Sequence, residues 1–193
     1  MRIGVLGGTF DPIHIGHLIL AEQAREQVAL DRVLFIPAGD PWRKAGRDIA
    51  PAQHRLAMTK LAIEGVDEFA VDDCEVRREG PTYTVDTLRE LRARIDEDDE
   101  LFFILGEDAL ADLPHWHNPS QIADYACIVV APREGADAPE SLPFDPVSIV
   151  RIEMPYIALT ASDLRQRVRL GRSLRFMVPV AVERYIEEQG LYV

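Results

Sequence analysis

Gly7-Gly8-Thr9-Phe10-Asp11-Pro12-Ile13-His14-Ile15-Gly16-His17 follows the apolar run Ile3 to Leu6 and leads into a helical pattern from about His17 to Val28. A buried strand, a glycine turn and a helix, in that order, suit phosphate binding. Glycine lets the backbone approach a ligand, and the helix N-terminus offers N–H groups that its own carbonyls cannot reach. Two histidines three apart, with glycine between, can point at one spot beside those amides. Imidazoles there can hydrogen-bond phosphate oxygens and balance charge as a pentacoordinate phosphorus forms. Singly, a glycine pair is a turn and a histidine a core or surface residue; the whole string at the end of a first strand carries more. It is neither G-x-G-x-x-G nor a P-loop, so hydride transfer and P-loop hydrolysis lose support.

Outward from this string, apolar runs alternate with helical patterns. Strands are expected at Ile3 to Leu6, Arg32 to Pro37, Phe69 to Val76, Leu101 to Leu105, Cys127 to Val130 and Ile149 to Ile152. Helices are expected at Pro51 to Glu64, Thr84 to Ile95, about Ala161 to Leu170 and about Pro179 to Gln189. Continuous apolar strands separated by helices require a parallel sheet covered on both faces. The fold class is therefore α/β: a doubly wound, mostly parallel, Rossmann-like sheet. One domain over residues 1–193 is expected, with the C-terminal helices (about 160–193) packed on it. Arg133 to Pro146 reads as a surface loop.

Composition narrows the partners. The 33 acidic against 21 basic side chains give a net charge of −12, which repels nucleic acid and anionic membranes. A small phosphorylated ligand held by a few positioned groups remains. Cys74 and Cys127 form no C-x-x-C pair and read as packing in a reducing setting. The opening run is too short for a signal peptide and no stretch reaches membrane-spanning length, so the expectation is cytoplasmic. Oligomeric state is left open, a homo-oligomer included.

Three further segments carry candidate chemistry. In Leu159-Thr160-Ala161-Ser162-Asp163-Leu164-Arg165, Thr160 and Asp163 make a capping-box-like helix start. The segment is either an ordinary capped helix with a solvated arginine or an anion clamp with Arg165 folded back. Gly80-Pro81-Thr82-Tyr83-Thr84-Val85-Asp86-Thr87-Leu88 crowds hydroxyls at another helix start, where a lone Thr82 or Thr84 would simply be a cap. Gly106-Glu107-Asp108 to Leu113-Pro114-His115-Trp116-His117 follows the fourth strand. A loop tryptophan there either packs or stacks on a flat heteroaromatic ring. Lys44, after the second strand, either steadies a phosphate or lies solvated. No carboxylate cluster has the look of a metal cage, so no metal-ligating residue is assigned.

His14-Ile15-Gly16-His17 matches the H-x-G-H signature of the nucleotidyltransferase superfamily, and the run GGTFDPIHIGH resembles its adenylyltransferase branch. Residues 159–165 are similar to that family's I-S-[ST]-[ST]-x-[IL]-R signature, with Ala161 lacking one usual hydroxyl. The Gly80 and Gly106 segments resemble the P-S-Y-T-x-D-T-L and G-x-D-x-x-x-x-L-P-x-W segments of bacterial nicotinate-nucleotide adenylyltransferases. Thr82 takes the serine place, and His117 stands where tyrosine is also seen. Residues 54–58 resemble the family's R-x-x-M helix, and Lys44 its P-x-x-K-like loop.

The resemblance implies adenylyl transfer from ATP to nicotinate mononucleotide, giving nicotinate adenine dinucleotide and pyrophosphate in NAD biosynthesis. It implies catalytic roles for His14, His17 and Arg165. ATP would be bound by Gly7, Gly8, Thr9, Phe10, His14, Gly16, His17, Lys44, Gly106, Asp108, Thr160, Ser162 and Arg165. The acceptor would be bound by Thr82, Tyr83, Thr84, Trp116 and His117, with Mg²⁺ expected on the phosphates of ATP. The alternatives are nicotinamide mononucleotide or phosphopantetheine as acceptor, or a nucleotide-binding regulator without turnover. A tRNA-handling relative is disfavoured by the acidic charge and the absence of a K-M-S-K-S-like loop.

Overall fold

Each apolar run divides its side chains between two layers. The computed structural model describes residues 1–41, 49–132, 141–145 and 149–193. Its six strands are β1 (Arg2–Gly8), β2 (Arg32–Pro37), β3 (Phe69–Val71), β4 (Glu100–Gly106), β5 (Cys127–Ala131) and β6 (Ile149–Arg151). They form one all-parallel sheet in the order β3-β2-β1-β4-β5-β6. Along β4, Leu101, Phe103 and Leu105 join one buried cluster, while Phe102 and Ile104 join the other. In β5, Ile128 and Val130 alternate with Val129 and Ala131 in the same way. This period of two, buried on both faces, makes the runs continuously apolar.

Helices fill both faces. α1 (Ile15–Val28), α2 (Ala52–Ala62), α7 (Ala161–Arg169) and α8 (Val180–Glu188) supply Ala21, Ala24, Met58, Leu164, Val182 and Ile186 to the cluster holding Phe35 and Ile104. The short α3 (Cys74–Arg77), α4 (Thr84–Arg92), α5 (Glu107–Asp112) and α6 (Ile122–Tyr125) serve the opposite cluster, with Val85, Leu88 and Leu91 of α4 aligned on one face. The C-terminal helices belong to the common core, and His54 Nδ1 of α2 lies 2.9 Å from the Tyr185 hydroxyl of α8.

One expected strand is corrected. Phe69 to Val76 is strand only over Phe69–Val71; the chain then turns, and Cys74–Arg77 is helical. The Asp72 carboxylate accepts from the Cys74 N–H at 2.9 Å, the local bond by which aspartate diverts a backbone from a ladder. The other elements lie within a few residues of their expected ends, and the sheet is wholly rather than mostly parallel. Cys74 is buried, with its thiol pushed up to about 12 by desolvation; Cys127 is partly buried.

The strand order sets the site. From β1 the chain winds outward through β2 and β3, then returns to β4 on the other side of β1 and winds outward again. The connections leaving β1 and β4 diverge, opening a crevice at the strands' C-terminal ends. At its rim the loop after β2 presses on α3: a Cβ on Gly39 would lie 2.0 Å from the Glu75 carbonyl oxygen. Gly39→Ala should therefore lower stability by about 1–3 kcal/mol, the usual cost of overpacking. A denaturant midpoint equal to that of the unmodified protein would contradict the close approach.

Candidate active site

The histidine pair is built by the start of α1. His14 is its N-cap, in extended conformation, and His17 stands three residues on. The His14 N–H donates to His17 Nδ1 at 3.2 Å, so the neutral His17 ring carries its proton on Nε2. The two imidazoles stack with centroids 3.7 Å apart, and the Phe10 ring meets His17 edge-on at 5.1 Å. Gly16 between them sits close to the pair: a Cβ there would lie 3.1 Å from the His14 ring, which would have to give by a few tenths of an ångström. Gly8 is constrained likewise, since its Cβ would meet the Phe10 ring at 2.7 Å.

The C-terminal segment comes to the same loop. Thr160 caps α7, its hydroxyl oxygen accepting from the Asp163 N–H at 3.1 Å. Arg165 donates from Nη1 to the Asp11 carbonyl at 2.8 Å and from Nη2 to Ser162 Oγ at 3.2 Å. Its Nη1 also lies 3.4 Å from Asp11 Oδ2. The Arg165 guanidinium thus folds back against the glycine string, 154 residues away in sequence.

Two cavities open here and share His17, Leu20 and Gly106. The larger, about 430 Å³, is lined by Gly7, Gly8, Thr9, Asp108 and all five acceptor candidates: Thr82, Tyr83, Thr84, Trp116 and His117. The smaller, about 210 Å³, is lined by His14, Gly16, Thr160, Ala161 and the stretch Met154 to Ile157. In the larger cavity the Tyr83 and His117 rings stack at 4.2 Å, joining the start of α4 to the loop after β4. Trp116 is half-buried, its indole N–H donating to Asp112 Oδ2 at 3.2 Å and its ring edge-on to Phe103 at 6.2 Å. A Cβ on Gly106 would meet Asp108 Oδ1 at 2.7 Å, so a side chain there would move the Asp108 carboxylate. The Thr82 hydroxyl is not a helix cap: it donates to the Asp40 carbonyl at 3.2 Å, and Tyr83 is the N-cap of α4.

Of the other ATP candidates, Phe10 is buried and Ser162 accepts from Arg165. Lys44 lies outside the described residues, as do residues 133–140 and 146 of the expected loop. Sequence reading missed three supports. Asp11, buried, accepts at Oδ1 from the Ala50 N–H at 3.1 Å and the Tyr192 hydroxyl at 2.7 Å. Arg55, within the R-x-x-M-like helix, is buried and donates to the carbonyls of Thr9, Gly39 and Ala50, at 2.8, 2.9 and 2.9 Å. It staples the loops after β1 and β2; desolvation holds its pKa below the usual arginine range, opposed by the Asp11 charge. Glu75 is the third, a buried acidic residue lining the larger cavity. Asp11 could have been found as an acid within an apolar glycine string; the other two give no local signal.

A family model described as cytidylyltransferase-like matches residues 5–167. A protein of Thermomicrobium roseum is 50% identical over 196 residues, covering 99% of this chain and 91% of its own length. One from Thermus thermophilus is 46% identical over 192 residues, covering 100% of both. Both are named "Probable nicotinate-nucleotide adenylyltransferase". Among solved structures, a Plasmodium falciparum nicotinic acid mononucleotide adenylyltransferase complexed with NaAD shares the fold. Its TM-score is 0.82 at 18% identity, over 99% of this chain and 97% of that one.

Proposed function

Because the chain belongs to the cytidylyltransferase-like family and, within it, to the nicotinate-nucleotide adenylyltransferases, we propose that it transfers the adenylyl group of ATP to nicotinate mononucleotide. The acceptor's 5′-phosphate oxygen attacks the α-phosphorus. A P–O bond forms to the acceptor, the α–β bridging bond breaks, and pyrophosphate leaves with its electron pair. The observation that carries this reading is the meeting of two cavities at His17 and Gly106. One has an aromatic, amide-rich wall for a pyridine ring; the other is bounded by a helix start for a nucleotide.

The protein's work in such a reaction is alignment and charge neutralisation. In this reading the amides of Gly7 to Phe10 and the imidazoles of His14 and His17 attend the α-phosphate. Arg165 and the α7 amides near Thr160 and Ser162 hold the departing pyrophosphate, and Asp108 faces the adenosine side. Trp116 stacks on the ring, and backbone N–H groups at Thr84 and His117 receive its carboxylate. The imidazoles, guanidinium and hydroxyls gathered here suit anions rather than a hard cation. Among the described residues no three His, Cys, Asp or Glu side chains gather as a metal cage. Mg²⁺ is therefore proposed on the ATP phosphates, keeping waters of its own.

Residues 1–193 are proposed to act as one cytoplasmic nucleotidyltransferase domain with no nucleic-acid partner; among the described residues no helix is long and apolar enough to cross a membrane. The test is pyrophosphate release from Mg-ATP with nicotinate mononucleotide, nicotinamide mononucleotide or phosphopantetheine. A large preference for the nicotinate compound is expected. Preference for the amide would keep the reaction and overturn the acceptor assignment. Trp116→Ala should raise KM for the acceptor about tenfold, the value of a lost aromatic stack, with KM for ATP unchanged. Equal KM values for the acceptor would remove Trp116 from the ring site.

A further inference from the structure

Glu75 has no part in the reaction just described, yet the residue lines the acceptor cavity and is only 8% exposed. A buried carboxyl needs strong compensation. It receives a hydrogen bond from the Thr87 hydroxyl at 2.7 Å. That oxygen in turn accepts from Arg78 Nη1 at 3.0 Å, and Arg78 Nη2 pairs with Glu90 at 2.6 Å. Desolvation pushes the Glu75 pKa up, while the Thr87 hydroxyl and the charges of Arg78 and Arg55 pull it down.

These contacts join three pieces of chain at one point. Thr87 lies in the first turn of α4, whose leading residues Tyr83 and Thr84 line the cavity. Thr82 is tied to the loop after β2, its N–H and hydroxyl both donating to the Asp40 carbonyl at 3.1 and 3.2 Å. The same loop presses on Glu75 through Gly39, where no side chain would fit. The first N–H groups of a helix have no partner within it and serve a ligand only if the helix start is held in place.

We propose that Glu75 is the positioning residue of the acceptor half-site: its carboxyl, bonded to Thr87 and lying against Thr82, fixes the start of α4 so that the N–H groups near Thr84 face the acceptor's carboxylate. This rests on the function proposed above. Glu75 reaches the acceptor through α4, so its removal weakens acceptor binding selectively. ATP, held by the other cavity and the glycine string, is untouched.

The experiment uses the full-length protein and initial rates of pyrophosphate release. The unmodified protein is measured first, and turnover of nicotinate mononucleotide by it tests the underlying reading separately. Glu75→Ala and Thr87→Val should each raise KM for nicotinate mononucleotide about tenfold, the worth of one buried hydrogen bond to a carboxylate, with KM for ATP within twofold. Glu75→Gln keeps an oxygen that accepts from Thr87 and should restore KM to within about threefold. Thr87 lies outside the cavity lining, so Thr87→Val tests the proposal even where Glu75→Ala fails to fold. Unchanged KM for the acceptor in folded variants, or equal loss toward ATP, would overturn it. So would a Glu75→Gln loss as large as that of alanine, which would assign the effect to charge rather than position.

Discussion

Replacing His17 by alanine is expected to lower kcat by about 10²- to 10³-fold, the cost of removing one donor aimed at charge that develops in the transition state. The ring is held for that task on three sides. Its Nδ1 accepts from the His14 N–H, the His14 ring stacks on it, and Phe10 meets its edge. Little rotamer freedom remains to be lost as the reaction proceeds, and Nε2–H is the donor proposed to meet the α-phosphate. Stability should fall by only about 0.5–1 kcal/mol, the worth of a lost capping acceptor on a half-buried side chain. ATP affinity, measured by calorimetry, should stay within a few-fold. A kcat within threefold of the unmodified enzyme would remove His17 from the chemistry.

Arg165→Ala should produce the second large loss, about 10²-fold in kcat/KM for ATP, because the charge-assisted fork proposed to hold the leaving group disappears. This substitution also acts on the fold. Asp11 is buried, with Oδ2 facing Arg165 and Oδ1 taken by Ala50 and Tyr192. Losing its cationic neighbour should cost about 1–3 kcal/mol of stability. Arg165→Lys separates the two effects. A lysine restores the charge beside Asp11 but cannot hold both the Asp11 carbonyl and Ser162 with one planar group. Thermal stability should therefore recover more fully than activity. Equal recovery of both would show that charge alone, without the fork, suffices.

These two predictions mark what the sequence made legible. The sheet was readable because parallel strands buried on both faces leave unbroken apolar runs, as in Leu101 to Leu105. Phe69 to Val76 misled because Val76 extends the apolar pattern past Asp72, where a side-chain bond has already turned the chain. The site was readable wherever its residues are consecutive, in the glycine string and in the Thr160 and Gly80 segments. Its supports were not. The Tyr192 hydroxyl meets Asp11 across 181 residues, and Arg55 reaches back 46 residues to the Thr9 carbonyl. No periodicity or capping pattern encodes such partners; only the closed fold brings them together.

The central claim is that the two cavities hold the two halves of one dinucleotide product. Its most direct test is the mass and stoichiometry of what the purified protein makes from Mg-ATP and nicotinate mononucleotide. One nicotinate adenine dinucleotide and one pyrophosphate are expected for each ATP consumed, with neither formed when the acceptor is omitted. ATP binding without dinucleotide, under conditions where the acceptor also binds, would contradict it and leave a nucleotide-binding regulator.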